Sequence, residues 1–330
     1  MKLSQYIRPA ANLLQARPLL AVFEVNLQCN SACGYCDLPL NKGRYELTRE
    51  EIKRIFTGLY QYGLRYLFIQ GGEPTLRKDL PGILADLNDT GFNLTLITNG
   101  TRLTRHFIDQ IKGLPVNISV SLDSLDRRRY QAVRGADQLH LVLAGIDRLR
   151  DYPHPKYLTC IVSEQNRPDV MDVIRFAREK EFIPIVGAYH WDVGRYGRVD
   201  RSLQYRHDAV IKLFENILKS GLVPRGYYRD YIRDNIAWLR GERLNRCDAG
   251  RYSITIDASG NVAPCLSLNP GGNLREKTLV EILAGFDRDE INRCSDQSSC
   301  NMMCSRIVGS MLRSPVSTLH TPKLFSSLLK

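Results

Sequence analysis

Residues 65–98 read RYLFIQGGEPTLRKDLPGILADLNDTGFNLTLIT, and this stretch decides the fold. RYLFIQ (65–70) and NLTLIT (93–98) have the short apolar, β-branched character of buried strands, and LPGILADLNDTG (80–91) between them has helical spacing closed by Gly91. The same rhythm continues outward. LAVFEVNLQC (20–29) alternates, with Phe23, Val25 and Leu27 on one side and Glu24, Asn26 and Gln28 on the other, which predicts a strand with one polar face. Thr48 to Glu51 reads as a capping box opening a helix to about Tyr62. Strands are predicted at 116–123, 156–162 and 183–190, with helices at 103–113, from strand four to about Arg150, and at 168–180. Six β–α units in a row predict a parallel sheet with helices outside. Polar residues suited to chemistry follow each strand: Cys29, Gly71, Thr98, Ser121, Asn166 and Tyr189. That placement favours a partial (β/α)6 TIM-type barrel over a doubly wound sheet, which does not put sites behind all six strands. The rhythm stops after His190, helices follow at about 203–219 and 228–240, and from Cys247 the chain becomes a hairpin and a cysteine-rich end. The expected organisation is an N-terminal helical segment (1–20), a barrel (21–200), a helical connection (201–242) and a small C-terminal α+β cysteine-rich domain (243–330).

Composition bounds the function. The chain has 330 residues, 43% hydrophobic and 25% charged, and no apolar run of membrane-spanning length. No signal-peptide core opens it, so the expected compartment is the cytoplasm, where thiols stay reduced. Nine cysteines there point to metal and packing rather than disulfides. The formal charge of +11 suits an anionic substrate, an acidic protein or nucleic acid, but the basic residues are scattered and no nucleic acid partner is expected.

CNSACGYC (29–36) places Cys29, Cys33 and Cys36 in one loop after the first strand. Structural zinc takes four ligands, and no fourth thiol or histidine lies nearby. Three thiolates can hold three irons of a cubane cluster and leave the fourth iron open. On these residues the chain resembles the radical S-adenosylmethionine (SAM) enzymes, and Tyr35 before the last cysteine fits that loop. The resemblance covers most of the chain. It implies a [4Fe–4S] cluster that binds SAM at Cys29, Cys33 and Cys36, and reductive cleavage to a 5′-deoxyadenosyl radical. It also implies SAM contacts at Gly71, Gly72, Glu73 and Pro74 (GGEP), Thr98 and Asn99, Ser121 and Asp123, Arg134 and Asn166. Cys247, Cys265, Cys294, Cys300 and Cys304 resemble the SPASM and shorter twitch extensions, which carry auxiliary iron–sulfur clusters. The position three before Cys294 is Ile291 and no cysteine follows Cys304, so one auxiliary [4Fe–4S] cluster is expected, with a zinc site as the alternative. By position in that pattern Cys304 is a ligand with Cys247 and Cys265. Cys294 or Cys300 supplies the fourth, leaving the other as a packed thiol or a hydrogen-atom donor. Cys160, inside a strand, reads as core.

Glu24, Asn26, Tyr189, His190 and Asp192 are expected to face substrate. The twenty residues before the first strand are too few for a winged-helix leader-binding domain. The resemblance therefore implies a small polar substrate, a sugar or aminocyclitol that is dehydrogenated or epimerised. The alternatives are modification of a ribosomal peptide with a separate leader-binding partner, and a zinc-binding nucleic-acid module. The implied redox partner is an acidic flavodoxin or ferredoxin.

Overall fold

The computed structural model describes residue 9 and residues 11–41, 43–190 and 200–313. Six strands run parallel: β1 (Leu20–Glu24), β2 (Tyr66–Gln70), β3 (Asn93–Thr98), β4 (Val116–Ser121), β5 (Lys156–Val162) and β6 (Ile183–Ala188). Helices α1 (Arg49–Tyr62), α2 (Leu80–Thr90), α3 (Arg105–Ile111), α4 (Arg127–Arg134), α5 (Leu139–Arg148) and α6 (Val170–Glu179) connect them. Each strand pairs with its neighbours in sequence, and β1 and β6 are not paired, so the arc stays open. The fold is thus a partial (β/α)6 barrel, as the periodicity predicts.

Local sequence explains the element ends. Thr48 Oγ1 accepts the Glu51 N–H at 3.2 Å and Glu51 Oε2 accepts the Thr48 N–H at 2.9 Å, the reciprocal cap that opens α1. The helical stretch after β4 is broken in two at Gly135, whose φ of +66° ends α4. β1 is shorter than predicted. All five of its residues are buried, because the side with Glu24 faces the barrel interior rather than water.

Beyond β6 come α7 (His207–Ser220) and α8 (Tyr227–Leu239), then the hairpin β7 (Ser253–Ile256) and β8 (Asn261–Ala263), with β9 (Gly272–Asn273) after it. The end holds α9 (Leu279–Ala284), α10 (Arg288–Asp296) and α11 (Ile307–Arg313). Unexpectedly for a separate domain, β7 pairs in parallel with β1, Leu20 opposite Ser253, giving one nine-stranded sheet ordered β6-β5-β4-β3-β2-β1-β7-β8-β9. The edge of β1 that faces away from β2 needs hydrogen-bond partners, and the C-terminal hairpin supplies them. The cysteine-rich end is thereby anchored beside the strand that carries CNSACGYC. No helix among the described residues is long and apolar enough to cross a membrane.

Candidate active site

The cysteine loop leaves β1 and folds over the C-terminal ends of the strands. Cys33 is buried, and Cys29 and Cys36 are half-buried. The Cys36 N–H closes a turn on the Cys33 carbonyl at 3.1 Å, and the Ala32 N–H reaches the Arg134 carbonyl at 3.0 Å. Gly135 allows this approach, since a Cβ there would run into the Ala32 carbonyl oxygen. Burial, and then repulsion from Cys33 and Cys29, pushes the Cys36 thiol up to about 12. Burial also raises Cys29. Three thiols crowded in one loop are a donor set suited to iron, whose positive charge stabilises the thiolates together.

GGEP lies against the segment just before Cys29. The Gly72 N–H donates to the Asn26 carbonyl at 2.9 Å and the Glu73 N–H to the Gln28 carbonyl at 2.6 Å. Side chains at either glycine would strike the backbone of residues 26–28, and Gly71 sits at φ +152°. Asn26 Nδ2 donates to the Glu73 carbonyl at 2.9 Å. The Glu73 carboxylate is buried and gathers two loops. Oε1 accepts from Thr75 N–H at 3.0 Å and Thr98 Oγ1 at 2.6 Å, and Oε2 accepts from the Asn99 N–H at 2.6 Å. Asn99 Nδ2 donates onward to Asn30 Oδ1 at 2.8 Å and Ser31 Oγ at 3.2 Å, inside the cysteine loop. Burial raises the Glu73 pKa and these donors oppose it. Pro74 opens the turn that follows and is buried.

On the other side, Asp123 and Arg134 form a buried ion pair at 2.7 Å. Arg134 Nη1 lies 4.0 Å from Cys33 Sγ. Asn166 Nδ2 donates to the Asp123 carbonyl at 2.8 Å and its Oδ1 accepts the Ser163 N–H at 2.7 Å. Ser121 is half-buried at the end of β4. Cys160 is buried within β5. The structure therefore links Glu73 with Thr98 and Asn99, and Asp123 with Arg134 and Asn166, and Asn99 and Arg134 carry these two groups to the cysteine loop.

Inside the arc is a cavity of about 350 Å³. Its wall includes Tyr35, Tyr157, Tyr189, His190, Tyr228 and Tyr231, with Met302, Met303 and Cys304 from the C-terminal end. Among the described residues no Lys, Arg, Asp or Glu lines it. Tyr35 and Tyr189 meet at 5.6 Å between ring centroids. Glu24 is fully buried at the end of β1. Asp192 lies outside the described residues.

His190 clamps the barrel to the cysteine-rich end. Its Nε2 accepts the Asn301 N–H at 2.9 Å, the other ring nitrogen bonds the Ala188 backbone, and the ring packs on Trp238 at 4.4 Å. Burial, and then the Arg306 charge, lowers its pKa to about 4. A base lowered on folding contributes stability that is full above its ordinary value of about 6.5 and is lost as pH falls toward about 4. His190→Gln is expected to flatten the loss of stability between those two pH values, on the order of 3 kcal/mol, measured by urea unfolding at each pH. An unchanged pH profile counts against the clamp.

The five C-terminal cysteines come together. Cys265 interacts with Cys247 and Cys294, and Cys304 with Cys265, Cys300 and Cys247. Burial first, then this crowding, pushes Cys247 and Cys304 up to about 12 and Cys265 and Cys300 to about 11. Thiols brought together in this way suit an iron–sulfur cluster. Sequence reasoning missed Asn30, Ser31, Thr75 and the tyrosines of α8. The first two were visible inside the cysteine loop. The tyrosines have ordinary core spacing and carry no local signal.

The "Radical SAM superfamily" model matches residues 24–177, and the SPASM model, "Iron-sulfur cluster-binding domain", matches 247–306. The chain is 38% identical over 283 residues to a GTP 3′,8-cyclase of Haemophilus ducreyi, covering 79% of this chain and 80% of that protein. It is 31% identical over 180 residues to a probable GTP 3′,8-cyclase of Pyrococcus abyssi, where the match spans 54% of this chain and 56% of that protein. Among solved structures, SuiB of Streptococcus suis bound to precursor peptide SuiA superposes with a TM-score of 0.69 at 16% identity, covering 87% of this chain and 70% of that one. An anSMEcpe structure with bound AdoMet gives 0.64 at 17% identity, covering 94% and 98%. At these identities the structures show the fold. The relatives overturn the expectation of a sugar or aminocyclitol that is dehydrogenated or epimerised, since they are named for cyclisation of GTP. The likeness to a peptide-bound structure gives the peptide alternative no more than a shared fold. The expectation failed because the cofactor motifs are local, whereas the cavity wall is assembled from residues of several strands and of the C-terminal end. With the cysteine loop, the GGEP loop and the C-terminal thiols arranged as described, the chain belongs to the radical SAM superfamily, with a SAM-binding [4Fe–4S] cluster and an auxiliary iron–sulfur cluster in a SPASM domain.

Proposed function

We propose that the protein is a radical SAM enzyme that rearranges a purine nucleotide of the GTP kind. The observation that carries this reading is the 38% identity to the Haemophilus ducreyi enzyme across 80% of that protein. When bound, the reduced cluster supplies an electron to SAM and so a carbon radical able to remove a hydrogen atom. The chain's own part is to hold that chemistry in a largely apolar cavity, and the aromatic wall suits the face of a purine. The charge of +11 suits both a polyanionic substrate and an acidic flavodoxin or ferredoxin as electron donor. Joining carbon 3′ to carbon 8 would pass one hydrogen atom from the sugar to the SAM-derived radical, and the joined nucleotide would then take one electron from the reductant and one proton from solvent. The product is then an isomer of the nucleotide, a rearrangement rather than a net oxidation.

The experiment supplies GTP, SAM and reductant to the anaerobically reconstituted protein. The expected result is GTP-dependent 5′-deoxyadenosine and a new species of unchanged nucleotide mass, with deuterium moving from 3′-labelled GTP into 5′-deoxyadenosine. If GTP does not raise 5′-deoxyadenosine above the substrate-free level, the reading fails. A second reading is favoured by the absence of charged residues from the described cavity wall: an uncharged substrate with an aromatic or apolar reacting end. Guanosine tested beside GTP separates the two. Turnover of the nucleoside without the triphosphate supports the second.

A further inference from the structure

Arg306 follows Cys304 by two positions and is 3% exposed. Its Nη1 donates to the Asn245 carbonyl and its Nη2 to the Cys300 carbonyl at 2.9 Å. Its Nε is buried and has no hydrogen-bond partner among the described residues. No carboxylate among the described residues lies within ion-pairing distance of it. Asp248, which feels its charge, instead accepts the Gly309 N–H at 2.9 Å. A guanidinium stripped of both water and counter-ion is costly, and a fold keeps one only where an anion completes it. Its field reaches Cys300 and Cys247, and also His190, Asp234 and Asp248, but among the described residues neither carboxylate comes within ion-pairing distance, whereas Nη2 is bonded to the Cys300 carbonyl itself.

We propose that Arg306 is the counter-charge of the auxiliary iron–sulfur cluster and raises its reduction potential. Four thiolates around a [4Fe–4S] core leave a net negative charge that grows by one when the cluster is reduced. A fixed cation beside it therefore stabilises the reduced form more than the oxidised form. Arginine suits this task because it stays charged at every working pH. Its two carbonyl contacts hold the guanidinium against the Cys300–Cys304 turn, and the unpartnered Nε is left to face the anion. The inference concerns the auxiliary cluster whichever substrate the barrel takes.

The test isolates that cluster. In a Cys29→Ala, Cys33→Ala, Cys36→Ala background, only the auxiliary site is reconstituted, and EPR-monitored titration reads its reduced fraction against applied potential. Arg306→Met is expected to lower the reduced-to-oxidised ratio at a fixed potential at least tenfold, about 59 mV for a one-electron couple. Arg306→Lys, which keeps the charge and loses the fork to the two carbonyls, is expected to stay within about threefold of the parent, less than half that shift. An Arg306→Met variant that takes up full iron and titrates with the parent overturns the proposal. Should Arg306→Met fail to fold, the lysine variant alone decides. A tenfold loss there, or loss of its iron, means that the role is structural and the counter-charge reading is wrong.

Discussion

Replacing Cys29, Cys33 and Cys36 together with alanine is expected to abolish reductive cleavage of SAM while leaving about four irons per chain at the auxiliary site. The effect is all-or-none, because the three thiols share one loop and no other cysteine lies near it among the described residues. Cys160 is held within β5, and the remaining five belong to the C-terminal group. The loop itself should survive the change. Its backbone is tied by the Ala32–Arg134 bond and by the Asn99 contacts to Asn30 and Ser31, none of which uses a thiol. The measurement is 5′-deoxyadenosine by chromatography, with iron and sulfide counted on the same sample. Persistent 5′-deoxyadenosine, or loss of all iron, contradicts the division of the cysteines into two sites.

Asp123→Ala is expected to destabilise the protein by about 3–5 kcal/mol, because it leaves the buried Arg134 charge uncompensated. Asp123 and Arg134 are both nearly inaccessible to solvent and meet at 2.7 Å. Asp123 Oδ1 also accepts the Ile161 N–H at 2.9 Å, so the substitution frees a second donor at the end of β5. The double variant Asp123→Leu, Arg134→Met should lose less than the single one, since an apolar pair of similar volume carries no stranded charge. Urea unfolding of the three proteins checks this ordering. A double variant worse than Asp123→Ala would contradict the stranded-charge account. Because Arg134 stands 4.0 Å from Cys33, the single variant should also take up iron poorly at the first site.

Much of the barrel was legible because its signals are local. Strand and helix periods, the Thr48 capping box and the glycine closing α2 each depend on a few neighbouring residues, and the structure keeps them. The break at Gly135 was not read, although the glycine was visible. Its reason is the carbonyl of Ala32, about a hundred residues away in the chain. The role of Glu73 was read as a cofactor contact from its motif. Its neighbours Thr98 and Asn99 come from another strand, and only the parallel pairing of β2 with β3 brings them to the carboxylate.

By itself the sequence determined the class of fold, the loop that holds three thiols, the order of the SAM motifs and the existence of a second cysteine group. These are encoded in spacing along the chain, where side-chain period and ligand number act over a few residues. Only the tertiary structure decided that β7 joins β1 in one sheet, how the five C-terminal cysteines approach one another, that His190 links the end of β6 to the Cys300–Cys304 turn, and that Arg306 is buried with no ion-pair partner among the described residues. Each of these depends on groups distant in sequence whose hydrogen bonds and charges must be satisfied once water is excluded. That requirement has no expression along the chain until the chain is folded.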